Sequence, residues 1–219
     1  MTTARAPRRG GFTLVEVLAV IAIIAVLLSV AAMGIQRIDR GQATTSALAI
    51  AEAVFEEARG VAISRGTAAR VVINNNAEDR ERYRTFMFVS AQDETGKWEV
   101  VSRGTKMPGG VYFDPALSEA GSQLVENLGS WGNEPMVMPG RSRQAVDAYY
   151  YEFNSEGICL DAAKSDPKPG AAFVVIGGIL PSGQTEPILQ GNNKEGFIIW
   201  RNGRTSLFRS PGQIGVATE

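Results

Sequence analysis

The longest pattern in the chain is an apolar run that extends from Phe12 to Met33. After Leu14 its single ionisable residue is Glu16, its other clearly polar side chain is Ser29, and it contains no proline. As an α-helix, these 22 residues would span about 30 Å, the thickness of the hydrocarbon core of a bilayer. The run therefore predicts a transmembrane helix over residues 12–33.

A second pattern follows the apolar run and is amphipathic. Small and apolar residues recur at intervals of three and four, at Leu48, Ala51, Phe55, Ala58 and Ala62. This spacing places them on one face of an α-helix, while charged residues fall on the other sides. Gly66 is a suitable helix terminator. We therefore expect one helix from about Phe12 to about Ser64, in which residues 34–65 bury one stripe against a domain.

Residues 66–219 show a third pattern, short runs of β-branched and aromatic residues separated by turns. These runs lie at residues 71–73, 85–90, 98–102, 110–113, 149–153, 172–180, 197–200 and 205–208. The pair Asn202-Gly203 between the last two runs is a strong hairpin signal. The chain is thus predicted to be α+β, with seven or eight antiparallel strands in one or two sheets packed on the second half of the helix.

Polar segments between these runs predict loops. Residues 74–82 carry acidic residues that alternate with Arg80 and Arg82, which favours a solvated loop over a metal site. Residues 115–145 are rich in Gly, Ser and Pro and predict a long loop, where a partner-specific surface is most expected. The spacing of Asp161 and Asp166 after Cys159 matches no calcium-binding loop, so no metal site is expected.

Composition restricts the chemistry that this chain can perform. It has no histidine and one cysteine, so histidine-dependent triads and intrachain disulfides are excluded. Cys159 is expected to be a small hydrophobic residue in a strand. The net charge of −1 argues against general nucleic-acid binding. We expect no enzyme activity, no cofactor, no small-molecule substrate and no direct nucleic-acid partner.

Three arginines precede the apolar run, at Arg5, Arg8 and Arg9. By the positive-inside rule they favour a cytoplasmic N-terminus, with the rest of the chain across the membrane. The run has three interpretations. It could be a secretory signal peptide cleaved at Ser29-Val30-Ala31, a plain membrane anchor, or a membrane segment that begins with a specific sequence motif. The helical pattern continues through Ala31, which argues against the signal peptide.

The motif at the beginning of the apolar run is Gly10-Gly11-Phe12-Thr13-Leu14-Val15-Glu16. It resembles the class III signal of type IV prepilins and type II secretion pseudopilins, over the leader and the whole apolar segment. The resemblance implies that residues 1–11 are a leader, that prepilin peptidase cuts the Gly11–Phe12 bond, and that the same enzyme methylates the amine of Phe12. The protein would stay in the bacterial inner membrane, single-pass, with a periplasmic C-terminal domain that can enter an envelope-spanning filament.

Glu16 is an unusual residue for an apolar helix, since a carboxylate at the bilayer centre costs about 2.5–3.5 kcal/mol. It lies about 6 Å from Phe12 along the helix axis, near the membrane–water interface. There its negative charge could simply interact favourably with the helix dipole. The resemblance implies a second role, in which Glu16 meets the amine of Phe12 on a neighbouring subunit. A mismatched axial register would then leave both charges unpaired.

A finer resemblance, to the GspH/FimT group of minor pseudopilins and minor pilins, covers about a third of the C-terminal domain. It rests on Ala58-Arg59, Ala62-Ile63 and Arg65-Gly66 at the helix end, on YEFNSEG with Gly157, and on the hairpin of residues 200–208. It implies a minor subunit that serves assembly in protein secretion and contacts other pilins through its N-terminal helix. Gly34 is a candidate point of helix unwinding, or else a tolerated helix glycine. The rival hypothesis is a membrane-anchored periplasmic binding or sensory module that does not polymerise.

Overall fold

The computed structural model describes residues 14–140, 144–160 and 168–215, and within them it gives side-chain surroundings except for residues 29–40 and 191–192. The chain forms two compact units, residues 1–39 and residues 40–219. Gly11 and Phe12 lie outside the described residues, as do Asp161 and Asp166.

Helix α1 extends over Leu14–Arg65, close to the predicted bounds. It ends where Gly66 adopts a φ of 65°, a left-handed conformation that glycine reaches without a steric penalty. In the first unit, the side chains of residues 14–28 are exposed.

Among the residues that the structure describes, no helix holds an apolar stretch of sufficient length to cross a membrane. The transmembrane span predicted for residues 12–33 stays a prediction.

The second unit contains thirteen strands among its described residues. They are β1 (Ala69–Asn74), β2 (Phe86–Gln92), β3 (Trp98–Val100), β4 (Thr105–Lys106), β5 (Val111–Phe113), β6 (Gly132–Asn133), β7 (Met136–Val137), β8 (Ala145–Val146), β9 (Ala148–Phe153), β10 (Cys159–Leu160), β11 (Gly170–Ile179), β12 (Ile188–Trp200) and β13 (Thr205–Leu207). A short helix α2 (Pro115–Ala120) and a 3-10 turn (Pro211–Gln213) complete the described elements.

The strands form two main antiparallel sheets and one small one. Sheet A has the order β10-β9-β1-β2-β3, with β4 also paired to β2 and β6 to β9. Sheet B has the order β13-β12-β11-β5, and β7 pairs only with β8. The predicted hairpin is confirmed: Ile199 pairs with Thr205 across the turn, and Gly203 adopts a φ of 77°.

The second half of α1 packs against both main sheets, as its amphipathic spacing predicts. All five residues of the predicted stripe are buried. Phe55 is at the centre, with its ring 5.1–6.3 Å from the rings of Tyr151 and Phe153 in sheet A and Phe173 and Phe197 in sheet B. One helix residue thus joins the two sheets into a single core.

The outer face of sheet A is covered as well. A second apolar cluster comprises Val72, Phe86, Phe88, Met136, Met138 and Ala148. Its two methionines come from residues 132–140 and 144–146, a stretch named here the covering segment. This segment is tied to the sheet by β6 and by the hydrogen bond from Glu134 N to Ala148 O.

Two expectations about the second unit are wrong in detail. Its described strands and sheets are more numerous than the seven or eight strands and one or two sheets predicted. Several of these strands are only two residues long and are defined by partners distant in sequence, so they have no periodicity that a sequence pattern could show. The segment 115–145, expected to be a long loop, carries α2, β6, β7 and the start of β8. Pro115 opens α2 and Gly132 lies in β6, whereas Pro139 and Gly140 form a turn after β7.

Candidate assembly site

Glu16 lies in the first turn of α1, where a negative charge interacts favourably with the helix dipole. Its side chain is exposed among exposed apolar neighbours, including Leu14 at 77% and Val15 at 73%. A carboxylate on such a surface becomes costly once the surface is buried in lipid or protein, unless a cation meets it. The position is therefore suited to charge pairing during assembly.

The other predicted site residues of the N-terminal segment are less defined by the structure. The cleavage site Gly11–Phe12, with the methylated amine of Phe12, lies outside the described residues. Gly34 has α-helical backbone within α1. The roles of all three residues stay predictions.

The structure brings together three stretches of sequence that are far apart along the chain. At the end of α1, Arg59 and Ile63 pack against Gly157, which follows β9, and Arg59 also lies against Gly203 in the β12–β13 turn. A Cβ atom on Gly157 would come within 2.7 Å of Ile63 Cδ1. A Cβ atom on Gly203 would overlap Arg59 Cδ and Nε. These contacts, named here the helix-end junction, unite the helix-end motif, the YEFNSEG stretch and the C-terminal hairpin.

Arg70 forms a buried polar centre on the outer face of sheet A. It is 6% exposed, and its guanidinium pairs at 2.8 Å with both Glu134 of the covering segment and Glu152 of β9. The guanidinium also lies 3.9 Å from the ring centroids of Trp98 and Tyr150. Burial and the stacked, paired geometry favour a fixed position for the covering segment. The sequence gives no signal for this cluster, because its members come from four separate segments.

Residues 80–84 hold the end of the β11–β12 hairpin. Arg80 donates hydrogen bonds to the carbonyl oxygens of Pro181, at 2.6 Å, and of Gln184. Tyr83 Oη donates to Glu186 Oε1 at 2.9 Å, and Arg84 pairs with the same carboxylate at 3.2 Å. Burial first, and then this hydrogen bond, raise the pKa of Tyr83 well above its ordinary value. The predicted loop at residues 74–82 is therefore a loop, but Arg80 within it fastens a neighbouring hairpin.

A cavity of about 320 Å³ lies between α1 and the edge of sheet B. Its lining mixes apolar residues such as Leu48 and Leu207 with charged residues such as Glu52, Lys194 and Arg209. Within the described part of the chain, His, Cys, Asp and Glu side chains do not gather in groups of three or more that could hold a metal ion.

Comparison with known proteins identifies the N-terminal segment. Residues 6–32 match the model of the prokaryotic N-terminal methylation motif. The resemblance to prepilins that residues 10–16 suggest is thereby confirmed over the leader and the first part of α1. No curated protein sequence matches the chain.

Two solved structures of the minor pseudopilin EpsH, from the type II secretion system of Vibrio cholerae, are similar to this chain. One is 16% identical over 78% of this chain and 97% of EpsH, with a TM-score of 0.40. The other is 12% identical over 74% and 92%, with a TM-score of 0.38.

Proposed function

We infer the function from the N-terminal segment, which is that of the type IV pilin and pseudopilin family, and we propose that this chain is a minor pseudopilin or minor pilin. Prepilin peptidase removes residues 1–11 and methylates Phe12. The apolar helix then anchors the subunit in the inner membrane, with the second unit in the periplasm. The mature subunit enters a short filament that serves protein secretion, and its role is structural.

One observation carries this proposal: residues 14–32 of the methylation motif lie within α1, and the helix continues beyond the end of the motif without a break. A removable signal peptide has no need of a helix that continues into the domain that follows. Here the same helix supplies Phe55 and the rest of the buried stripe to the core of the second unit. The apolar segment and the domain are thus built as one subunit.

The exposed surface of residues 14–28 supports the same conclusion. Apolar side chains lie on every side of the helix there, and Glu16 is the charged residue among them. This surface is suited first to lipid and then to the helices of neighbouring subunits, with Glu16 opposite the methylated amine of a neighbouring Phe12. GspH/FimT is the branch that the helix-end junction favours, because the junction brings together the three stretches that resemble that group.

The intact mass and the N-terminal peptide of the protein from its native membrane test this proposal. We expect a chain that starts at N-methylated Phe12. A Gly11→Val variant is the control: it should retain the leader and start at or near Met1, since a bulky residue then flanks the scissile bond. A wild-type chain that retains Met1 would identify a plain anchor, and a start near Ala32 would identify a secreted protein; either result would refute the proposal.

A further inference from the structure

Strand β12 runs beside the second half of α1 in the same direction. Near the start of the helix within the second unit and midway along β12, Thr44 Oγ1 donates a hydrogen bond to Glu195 Oε1 at 3.0 Å. Near their ends, Arg59 lies against Gly203, just beyond β12. The helix rises about 22 Å between Thr44 and Arg59, and β12 rises about 17 Å between Glu195 and Trp200, where the turn that contains Gly203 begins. The two elements therefore run past each other in the same direction.

This alignment places the far end of the β11–β12 hairpin. The cross-strand pair Ile176–Lys194 lies at about the same height along the helix as Thr44. Beyond that pair, β11 continues for three residues to the pair Ile179–Ile188. That distance is about 10 Å, whereas the helix needs only about 6 Å to go back from Thr44 to Arg40. The hairpin end is therefore at the end of the second unit where the chain enters it from the apolar segment.

Three aliphatic side chains where the two strands end are exposed, beside the exposed polar turn of residues 182–186. Ile179 is 54% exposed, its cross-strand partner Ile188 is 57% exposed, and Leu189 is 38% exposed. The hairpin is held by Arg80, Tyr83 and Arg84 through the contacts described above. It is thus an apolar edge whose position is fixed, so that little conformational entropy would be lost when it meets a surface.

The bilayer is within reach of this edge. Six residues lie between Met33, the end of the apolar run, and Arg40, and even a fully extended chain from Met33 to Arg40 spans at most about 25 Å. The interfacial zone adds several ångströms to each side of the hydrocarbon core. Near this edge the carboxylate of Glu186 lies between Arg84 and Tyr83, and Arg80 adds a further cation.

We propose that the apolar edge formed by Ile179, Ile188 and Leu189 rests in the interfacial region of the bilayer while the subunit is a membrane-anchored monomer. It would hold the second unit against the membrane until extraction into the filament. The proposal rests on the membrane anchoring set out under the proposed function. Lipid is the occupant that the position of the edge favours, since the edge lies at the end of the domain to which the membrane segment is joined.

Spin-label accessibility on the full chain tests this inference. Single cysteines replace Ile188, Leu207 and Val20 in a Cys159→Ala background, and each labelled protein is placed in bilayers of phosphatidylethanolamine and phosphatidylglycerol. Leu207 is the matched control, because it is an aliphatic residue of the same sheet that is 56% exposed but lies on β13, away from the hairpin end. Accessibility to oxygen reports lipid, and accessibility to a water-soluble nickel chelate reports water.

We expect the ratio of oxygen to nickel accessibility to be severalfold higher at position 188 than at position 207. Equal ratios would overturn the inference, and so would low accessibility to both reagents at position 188, which would indicate a protein contact such as a second copy. A lipid signal at position 20 without one at position 188 refutes this inference alone, whereas a water signal at position 20 refutes the membrane anchor itself. A label at Ile179→Cys repeats the test if Ile188→Cys disturbs folding.

Discussion

Gly203 is fixed by two separate requirements at the scale of a single residue. Its φ of 77° lies in the left-handed region, which penalises any side chain with a Cβ atom. In addition, Arg59 of α1 fills the space that a Cβ atom would need, and Gly157 O would lie 2.6 Å from that atom. The turn glycine that the hairpin signal predicts is thus also a packing residue of the helix-end junction.

The packing requirement can be separated from the turn requirement by a matched pair of substitutions. Gly96 has a similar φ of 82°, but a Cβ atom there would meet nothing within 4 Å. Gly96→Ala should lower the free energy of unfolding by about 1–2 kcal/mol through backbone strain alone. Gly203→Ala should lower it by a further 1–3 kcal/mol, roughly, because Arg59 must move.

Urea titration of the full chain in detergent, followed by circular dichroism, gives both values. Equal losses for the two variants would show that Arg59 moves aside without cost. The helix-end junction would then have no packing role at Gly203.

At the scale of elements, α1 determines how the two main sheets meet. Among the described strands, sheet A and sheet B share no ladder, and the ring of Phe55 lies between aromatic residues of both. Its edge-to-face geometry with four rings is favourable beyond the burial of area alone. The second half of the helix is therefore part of the core of the second unit.

Removal of this ring should strongly destabilise the second unit. Phe55→Ala leaves a cavity among rings from two sheets that cannot all move inward, so we expect a loss of about 3–5 kcal/mol in the free energy of unfolding. Glu57→Ala on the exposed side of the same helix is the control and should change it by less than about 0.5 kcal/mol. The measurement is again urea titration, and a loss below about 1 kcal/mol for Phe55→Ala would contradict the central role assigned to this residue.

At the scale of the whole molecule, the two units have different surfaces. Described side chains of the first unit, residues 14–28, are exposed and apolar, whereas the second unit buries its apolar residues in two clusters. A surface of the first kind is normally covered by lipid or by other protein chains. In the proposed function it is covered first by the membrane and later by neighbouring helices.

The charge of Glu16 should matter for assembly and not for folding or processing. Glu16→Ala should leave a chain that is cut and methylated at Phe12 as in the wild type, with the same urea midpoint, but is absent from sheared or cross-linked filament fractions. Glu57→Ala is the control for loss of an acidic residue from the same helix and should assemble normally. Normal assembly of Glu16→Ala would contradict the role assigned to Glu16, whereas absence of the wild-type chain from the same filament fractions would favour the rival hypothesis of a membrane-anchored module that does not polymerise.

Local sequence patterns were sufficient to predict the helix, its end at Gly66, seven of the main strands, the last four residues of β12, the C-terminal hairpin and the N-terminal motif. These features depend on apolar periodicity, on turn residues and on a short linear motif. Neighbouring residues carry the whole signal in each case. A single sequence is therefore sufficient to detect them.

Only the tertiary structure decided how distant residues meet. The short strands, the covering segment over sheet A and the stacked Arg70 depend on partners such as Glu134 and Glu152, which lie 64 and 82 residues from Arg70. The helix-end junction and the apolar hairpin end are likewise set by the alignment of α1 with β12. The free energy of such contacts depends on distances in space, and nothing in the local order of residues encodes those distances.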